Sequence, residues 1–358
     1  MSDPALRPSR RYLTMVVASL SFIVLTCVAF LVPVPYVTMK PGPAFDTLGT
    51  FDDKPMFTFG KGVKTYPTTG SLDFTTVSVT RAETNLPLAE ALQEYVFGDD
   101  TAVVPRSLIY REGESAKDAK AEGQAQLASS KDSSRVAGLR AAGYTVPEVP
   151  AIDSVNDDGS AKGKLREGDE VRSVNGRSTP TAATVVEAVG QVDPGDTVTI
   201  GYTRDGEEKS VEIVTRPDAK DETLPRIGVA LRSRFDFPIK ITNNVGQQVG
   251  GPSPGAMFAL TIYDRLTPGS LTGGRVVAGT GEIAPDGTVG PIGGIRQKIA
   301  GAAHDGAKIF LVPAANCAEA ADGDDHGMRL VEVSKLDDAI GALEKLAKNP
   351  QARVPQCR

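Results

Sequence analysis

The run LTMVVASLSFIVLTCVAFLV, residues 13–32, carries no charged side chain over twenty consecutive positions. At a rise of ~1.5 Å per residue a helix of this length measures ~30 Å, enough to cross the hydrocarbon core of a bilayer. Arg7, Arg10 and Arg11 precede the run and only Lys40 follows it closely. The excess of positive charge on the leading side keeps the N-terminus in the cytoplasm and sends everything after Pro33 outside. A cleaved signal peptide is the competing reading. Its apolar region is usually shorter and ends in a small-residue cleavage site, whereas this run ends in LVPVPYV without an A-x-A pattern.

A chain of 358 residues can bury a sizeable core and is comfortable for two domains. Its net charge of -6 and lack of a long basic run make nucleic acid an unexpected partner. The two histidines, His304 and His326, show no metal-ligand spacing, so we expect neither a metal nor another cofactor, and a Ser-His triad is a weak alternative. The stretch GSAKGKL at 159–165 is one residue short of a phosphate loop and lacks the terminal Ser/Thr. Cys27 lies inside the apolar run, while Cys317 and Cys357 lie in the exported part. An outside location permits a disulfide between the last two; two unrelated thiols are the other reading.

Residues 1–12 read as a cytoplasmic N-terminus, 13–32 as the anchor, and 33–135 as an extracytoplasmic β/α segment with a linker. Within the last, PYVTMKPGPAFDTLG reads as an extended connector, LDFTTVSVT as a strand, and LPLAEALQEYVFG as a helix closed by Gly98. The strand needs sheet partners outside its own segment, which suggests that 33–135 shares a fold with the C-terminal part. Residues 112–134 contain strong helix formers but almost no apolar face, and read as a solvated helix or linker. Residues 136–216 alternate short β-like runs with Gly-Asp and Asn-Gly turns and close in a hairpin through Asp205-Gly206. From 227 to 347 the pattern is mixed α and β, ending in the amphipathic helix LDDAIGALEKLAK, and 348–358 is a tail.

Two side chains in the last region draw attention. Ser253, in VGGPSPGAM, precedes an apolar helical run and reads first as its N-cap, with Pro254 preset for the first turn. Lys298 borders the apolar face of the helix in GGIRQKIAGAAHDGAK, which usually means an aliphatic stem on apolar surface and an ammonium in water. Burial of the amine would instead lower its pKa and let it accept a serine's proton.

The segment GSAKGKLREGDEVRSVNG resembles bacterial PDZ domains, which implies a small β-rich fold that binds an extended peptide; Gly143, Tyr144 and Thr145 are the candidates for the carboxylate loop. GGPSPG together with GTGEIAPDGTVGPIGGIRQKIAGAAHDGAKIFLVP resembles the proteolytic domain of the Lon family, an α+β fold with a Ser-Lys dyad. That resemblance implies Ser253 as nucleophile, Lys298 as general base and Thr280 as a residue holding the lysine. The chain departs from the family at Gly250, where an acidic residue is frequent, and at Pro254, where alanine is common. The whole is similar to membrane-anchored, PDZ-containing Lon-like serine proteases without an AAA+ engine. The resemblance implies an ATP-independent endopeptidase acting on exported or unfolded polypeptides; a catalytically inactive peptide-binding scaffold of the same fold is the alternative. The oligomeric state stays open, a homo-oligomer included.

Overall fold

A computed structural model describes residues 9–358, so Arg7 and most of the segment 1–12 lie outside the described residues. The chain divides into two compact units, one formed by Met1–Ala142 with Ile241–Arg358 and the other by Gly143–Lys240. Helix α1, Arg10–Leu31, opens the first unit, buries none of its side chains, and is long and apolar enough to cross a membrane. The run after it, read as a connector, is instead strand β1, Tyr36–Asp46. Its prolines fit because the register with β2, Ser71–Val79, shifts between Pro41 and Ala44. At such a bulge the ladder does not need the donor that proline lacks. Helix α2, Leu88–Phe97, ends at Gly98, and β3, Ala102–Pro105, pairs with the other edge of β1.

Helix α3, Ala116–Ala141, corrects the reading of 112–134 as solvated. Ser115 Oγ caps it by accepting the Asp118 amide at 3.1 Å. Leu127, Ser130, Ser134, Val136 and Leu139 are buried. At Gly138 a Cβ would come within 2.7 Å of the Ala259 carbonyl, so two helix backbones nearly touch there. Small residues make that contact, and they contribute too little hydropathy to register as an apolar face.

The second unit is an antiparallel sheet built from β4, Glu148–Val155; β5, Glu170–Val174; β6, Thr197–Arg204; β7, Glu207–Val214; and β8, Val229–Phe235. The order is β7-β6-β5-β4-β8, with helix α4, Ala182–Val189, packed on it around Ile152, Val171, Val185, Val198 and Ile200. The β6–β7 turn places Asp205 and Gly206 both at positive φ, as a two-residue hairpin requires. The run after 227, read above as opening the C-terminal region, pairs with β4 along its whole length and supplies the edge strand β8.

The first unit resumes with α5, Gly255–Leu266; β9, Val276–Gly279; α6, Ile295–His304; β10, Ile309–Pro313; β11, Arg329–Val333; and α7, Leu336–Lys348. Its six-stranded sheet has the order β11-β10-β9-β2-β1-β3. β2 runs parallel to β9 on one side and antiparallel to β1 on the other, so strands from before and after the second unit share one ladder. β10 is buried at every position, as the apolar run of a covered parallel strand requires. Helix α5 was expected to bury one face; all residues from 255 to 262 are buried, because it packs between α3 and β2. Phe258 sets its ring edge against Phe74 with centroids 5.4 Å apart.

The C-terminal tail lies along β11, with the Cys357 amide donating to Leu330 O at 3.3 Å and the Glu332 amide to Pro355 O at 3.2 Å. It covers an edge that would otherwise present unpaired backbone groups. Cys317 and Cys357 are joined by a disulfide that spans 40 residues of sequence. Closing such a loop restricts the unfolded chain by about 4 kcal/mol in the chain-entropy treatment. Cys357→Ser is expected to lower the Tm of oxidised protein by several degrees, and reduction to bring wild type to the same value. Identical melting of the oxidised wild type and the variant would show that the bond does not hold the tail.

Candidate active site

The N-cap position of α5 is Pro254, and no side chain caps the helix, so Ser253 is not the cap that its local sequence suggests. Its hydroxyl meets a different partner: Lys298 Nζ lies 2.7 Å from Ser253 Oγ. The loop that carries the serine is held from outside by α3. Gln124 Nε2 donates to Val249 O at 2.7 Å and to Gln247 O at 3.0 Å. The Gly251 amide donates to Gly123 O at 2.8 Å, and Ser130 Oγ donates to Pro252 O at 2.9 Å. Gln124 and Ser130 escape sequence reasoning, because they lie in the polar stretch whose pattern marks no face.

Lys298 sits one turn into α6, which begins after Gly294 at φ +68°. Its side chain is only 4% exposed, so the ammonium does not reach water as the helical wheel suggests. Ile295, Gln297 and Ile299 are buried beside it on the same helix. Thr280, 1% exposed, lies with Oγ1 3.0 Å from Lys298 Nζ and donates its own proton to Ser253 O at 3.2 Å. The Gly281 amide donates to the same carbonyl at 2.9 Å. The three residues singled out from the sequence of this unit thus meet at one point. Burial lowers the Lys298 pKa to about 7, with the Glu282 carboxylate opposing the shift.

Ser253 and Lys298 open into a cleft of about 640 Å³ walled by Thr75–Val79 of β2 on one side and by Gln248, Gly250 and Gly293 on others. A second cleft, of about 650 Å³, continues from Val79 and Gln248–Gly250 along α3 past Lys120 and Gly123. The wall from 75 to 79 is an unusual strand segment. Pairing of β2 with β9 stops at Phe74, while pairing with β1 runs on to Val79.

In the second unit, β8 and α4 flank an apolar groove of about 260 Å³ lined by Val185, Val189, Ile227, Val229 and Leu231. Gly143, Tyr144 and Thr145 precede β4 and do not line it. The residues that do, in RIGVALR at 226–232, were passed over because the sequence reading assigned them to the following domain.

The sign of the lysine's effect on stability follows from its lowered pKa. Between about pH 7 and the ordinary lysine value of 10.5, the unfolded chain binds a proton that the folded chain does not, so stability rises with pH across that window. Below it, the fold carries the full cost of a buried charge. Lys298→Met, which keeps the apolar stem, is expected to melt above wild type at pH 7, with the advantage shrinking toward pH 10. A difference in Tm that does not change with pH would place the ammonium in water.

Residues 243–344 match the Lon protease (S16) C-terminal proteolytic domain family, and residues 126–215 match the PDZ domain family. The Lon protease of Azorhizobium caulinodans is 38% identical over 93 residues, 25% of this chain and 11% of that protein. The Lon protease of Azospirillum brasilense is 30% identical over 158 residues, 43% of this chain and 19% of that protein. The chain therefore spans between a tenth and a fifth of the length of these relatives. Among solved structures, the PDZ domain of the SdrC-like protein from Listeria monocytogenes is 26% identical over 23% of this chain and 85% of that chain, with a TM-score of 0.22. This chain carries a PDZ domain and a Lon-type C-terminal proteolytic domain behind an apolar N-terminal helix.

Proposed function

We propose that this chain is an ATP-independent serine endopeptidase, anchored by α1 with its N-terminus in the cytoplasm, that uses Ser253 and Lys298 on exported or unfolded polypeptides. The observation that carries the reading is the 2.7 Å separation of Ser253 Oγ from the amine of a buried lysine. A neutral amine is a base, and a pKa near 7 leaves a large share of it neutral at physiological pH. Thr280 Oγ1 receives one amine N–H, which turns the nitrogen lone pair toward the serine.

In the reaction Lys298 takes the Ser253 proton as Oγ attacks the carbonyl carbon of the scissile peptide. The resulting ammonium returns that proton to the leaving amine, and an ester to Ser253 remains. Lys298 then takes a proton from water as the water oxygen adds to the ester, and on collapse the ammonium returns that proton to Ser253 Oγ, releasing the acid and restoring both the serine and the neutral amine. Pro254 has no amide, and those of Gly255 and Ala256 already bond the Pro252 and Gly281 carbonyls. We therefore assign the developing oxyanion to the Ser253 amide. The free edge of β2 from 75 to 79 suits a substrate that adds to it as a strand, and the edge strand β8 beside α4 suits a peptide bound in the same way by the PDZ domain. A non-catalytic peptide-binding scaffold is the second reading, favoured by the amide that Pro254 removes.

Arginine keeps the charge and much of the stem but cannot give up its proton, so Lys298→Arg should lower peptide cleavage by about 10²- to 10⁴-fold while a folded chain remains. Wild-type kcat/KM should rise with pH through about 7, and a phosphonate probe should label wild type and spare Ser253→Ala. Near-wild-type cleavage by folded Lys298→Arg would remove the lysine from the chemistry, and a wild type that neither labels nor cleaves is the scaffold. For the topology, protease added outside sealed cells is expected to digest the region after residue 40; protection of that region would reverse the orientation.

A further inference from the structure

We propose that α2 lies in the membrane interface, with Leu92, Tyr95 and Val96 seated at the headgroup–acyl boundary of the bilayer that α1 crosses. The proposal rests on reading α1 as a membrane span. Tyr95 is 75% exposed, and Leu92 and Val96 are exposed with it. Leu92, Tyr95 and Val96 stand at helical spacings of three and four and share one face. A cluster of this kind on a helix of 10 residues is a contact surface rather than scattered surface hydrophobicity.

The occupant follows from what the helix is tied to. Pro33–Val34, immediately after α1, pairs antiparallel with Leu86–Pro87, and the Leu88 amide donates to Val32 O at 3.0 Å. The first residue of α2 is thus hydrogen-bonded to Val32, the residue that follows α1, and α2 packs against α1. Wherever α1 leaves the hydrocarbon, α2 is at its surface. The same exit is ringed by other exposed apolar groups: Tyr36, the first residue of β1, and Leu108, whose turn is fastened by the Arg106 amide donating to Pro35 O at 2.9 Å.

The chemistry of the face fits the boundary layer. Tyrosine joins an apolar ring to a hydroxyl that prefers water, which is the reason such rings collect at headgroup depth. Glu94, on the opposite side of α2, pairs with Lys40 at 2.6 Å, and Ala91, on the flank beside Tyr95, is buried against the protein. The sequence LAEALQEYVF contains no Lys or Arg, so attraction to anionic lipid is not what seats it. None is needed, because the tether through α1 holds the face at the surface at high effective concentration. Seating is therefore expected to be independent of lipid charge and of salt.

The chain contains no tryptophan, so a single introduced indole reports one site. Full-length Tyr95→Trp is reconstituted in phosphatidylcholine vesicles whose acyl chains carry bromine at a shallow or a deep carbon. Blue-shifted emission, quenched most by shallow bromines and unchanged at high salt, is expected. Phe22→Trp, in the middle of α1, serves as the reference and should be quenched most by deep bromines. Water-like, unquenched emission from Tyr95→Trp beside a quenched Phe22→Trp would overturn the seating and leave the anchor standing. Failure of both to quench would instead overturn the anchor. Blue-shifted emission that ignores bromine and is lost on dilution of protein in lipid would show that a second copy covers the face, which also overturns the proposal.

Discussion

The first unit is organised around keeping one amine out of water. Transfer of a lysine ammonium into protein interior is costly, and the group responds by losing its proton rather than by holding an unpaired charge. To reach that state here, the chain surrounds Lys298 Nζ with two hydroxyls and, among the described residues, no close carboxylate partner, Glu282 acting only from a distance. Removing the water takes a helix, a sheet and a loop together, since α6 carries the lysine, the end of β9 leads to Thr280, and the loop before α5 carries the serine. A displacement of any of them by an ångström would admit solvent, restore the charge and separate the two side chains.

That requirement explains the attention the fold gives to the serine loop. A loop rich in glycine and proline has little stiffness of its own, and Gly251 takes a positive φ that few other residues adopt. The stiffness comes from α3, whose Gln124 and Ser130 side chains and Gly123 carbonyl bond the loop backbone at four points. Close packing of α3 on α5 at Gly138 then fixes that support relative to the helix that the serine precedes.

The two halves of the first unit come from opposite ends of the chain. β2 supplies both the middle of the sheet and one wall of the cleft, and the strand it joins, β9, lies some two hundred positions later, its Val276 pairing with Ser71. The PDZ-bearing unit lies between them in sequence, so both of its ends join the same first unit.

The sequence alone determined what rests on local pattern. The uncharged run at 13–32, the alternation in LDFTTVSVT, the Asp205-Gly206 hairpin and the apolar run of β10 each declare their element because periodicity and turn chemistry are local properties. Motif likeness also brought Ser253, Thr280 and Lys298 onto one list. Tertiary structure decided everything that depends on what an element packs against. It made a strand of the proline-bearing run 36–46, because a bulge absorbs the missing donors, and a core helix of 116–141, because small residues let backbones approach where no large apolar face advertises it. It moved Ser253 from cap to partner of Lys298 and took that lysine out of water, since a helical wheel records direction but not depth. A side chain's burial is set by residues hundreds of positions away, and no window of local sequence contains them.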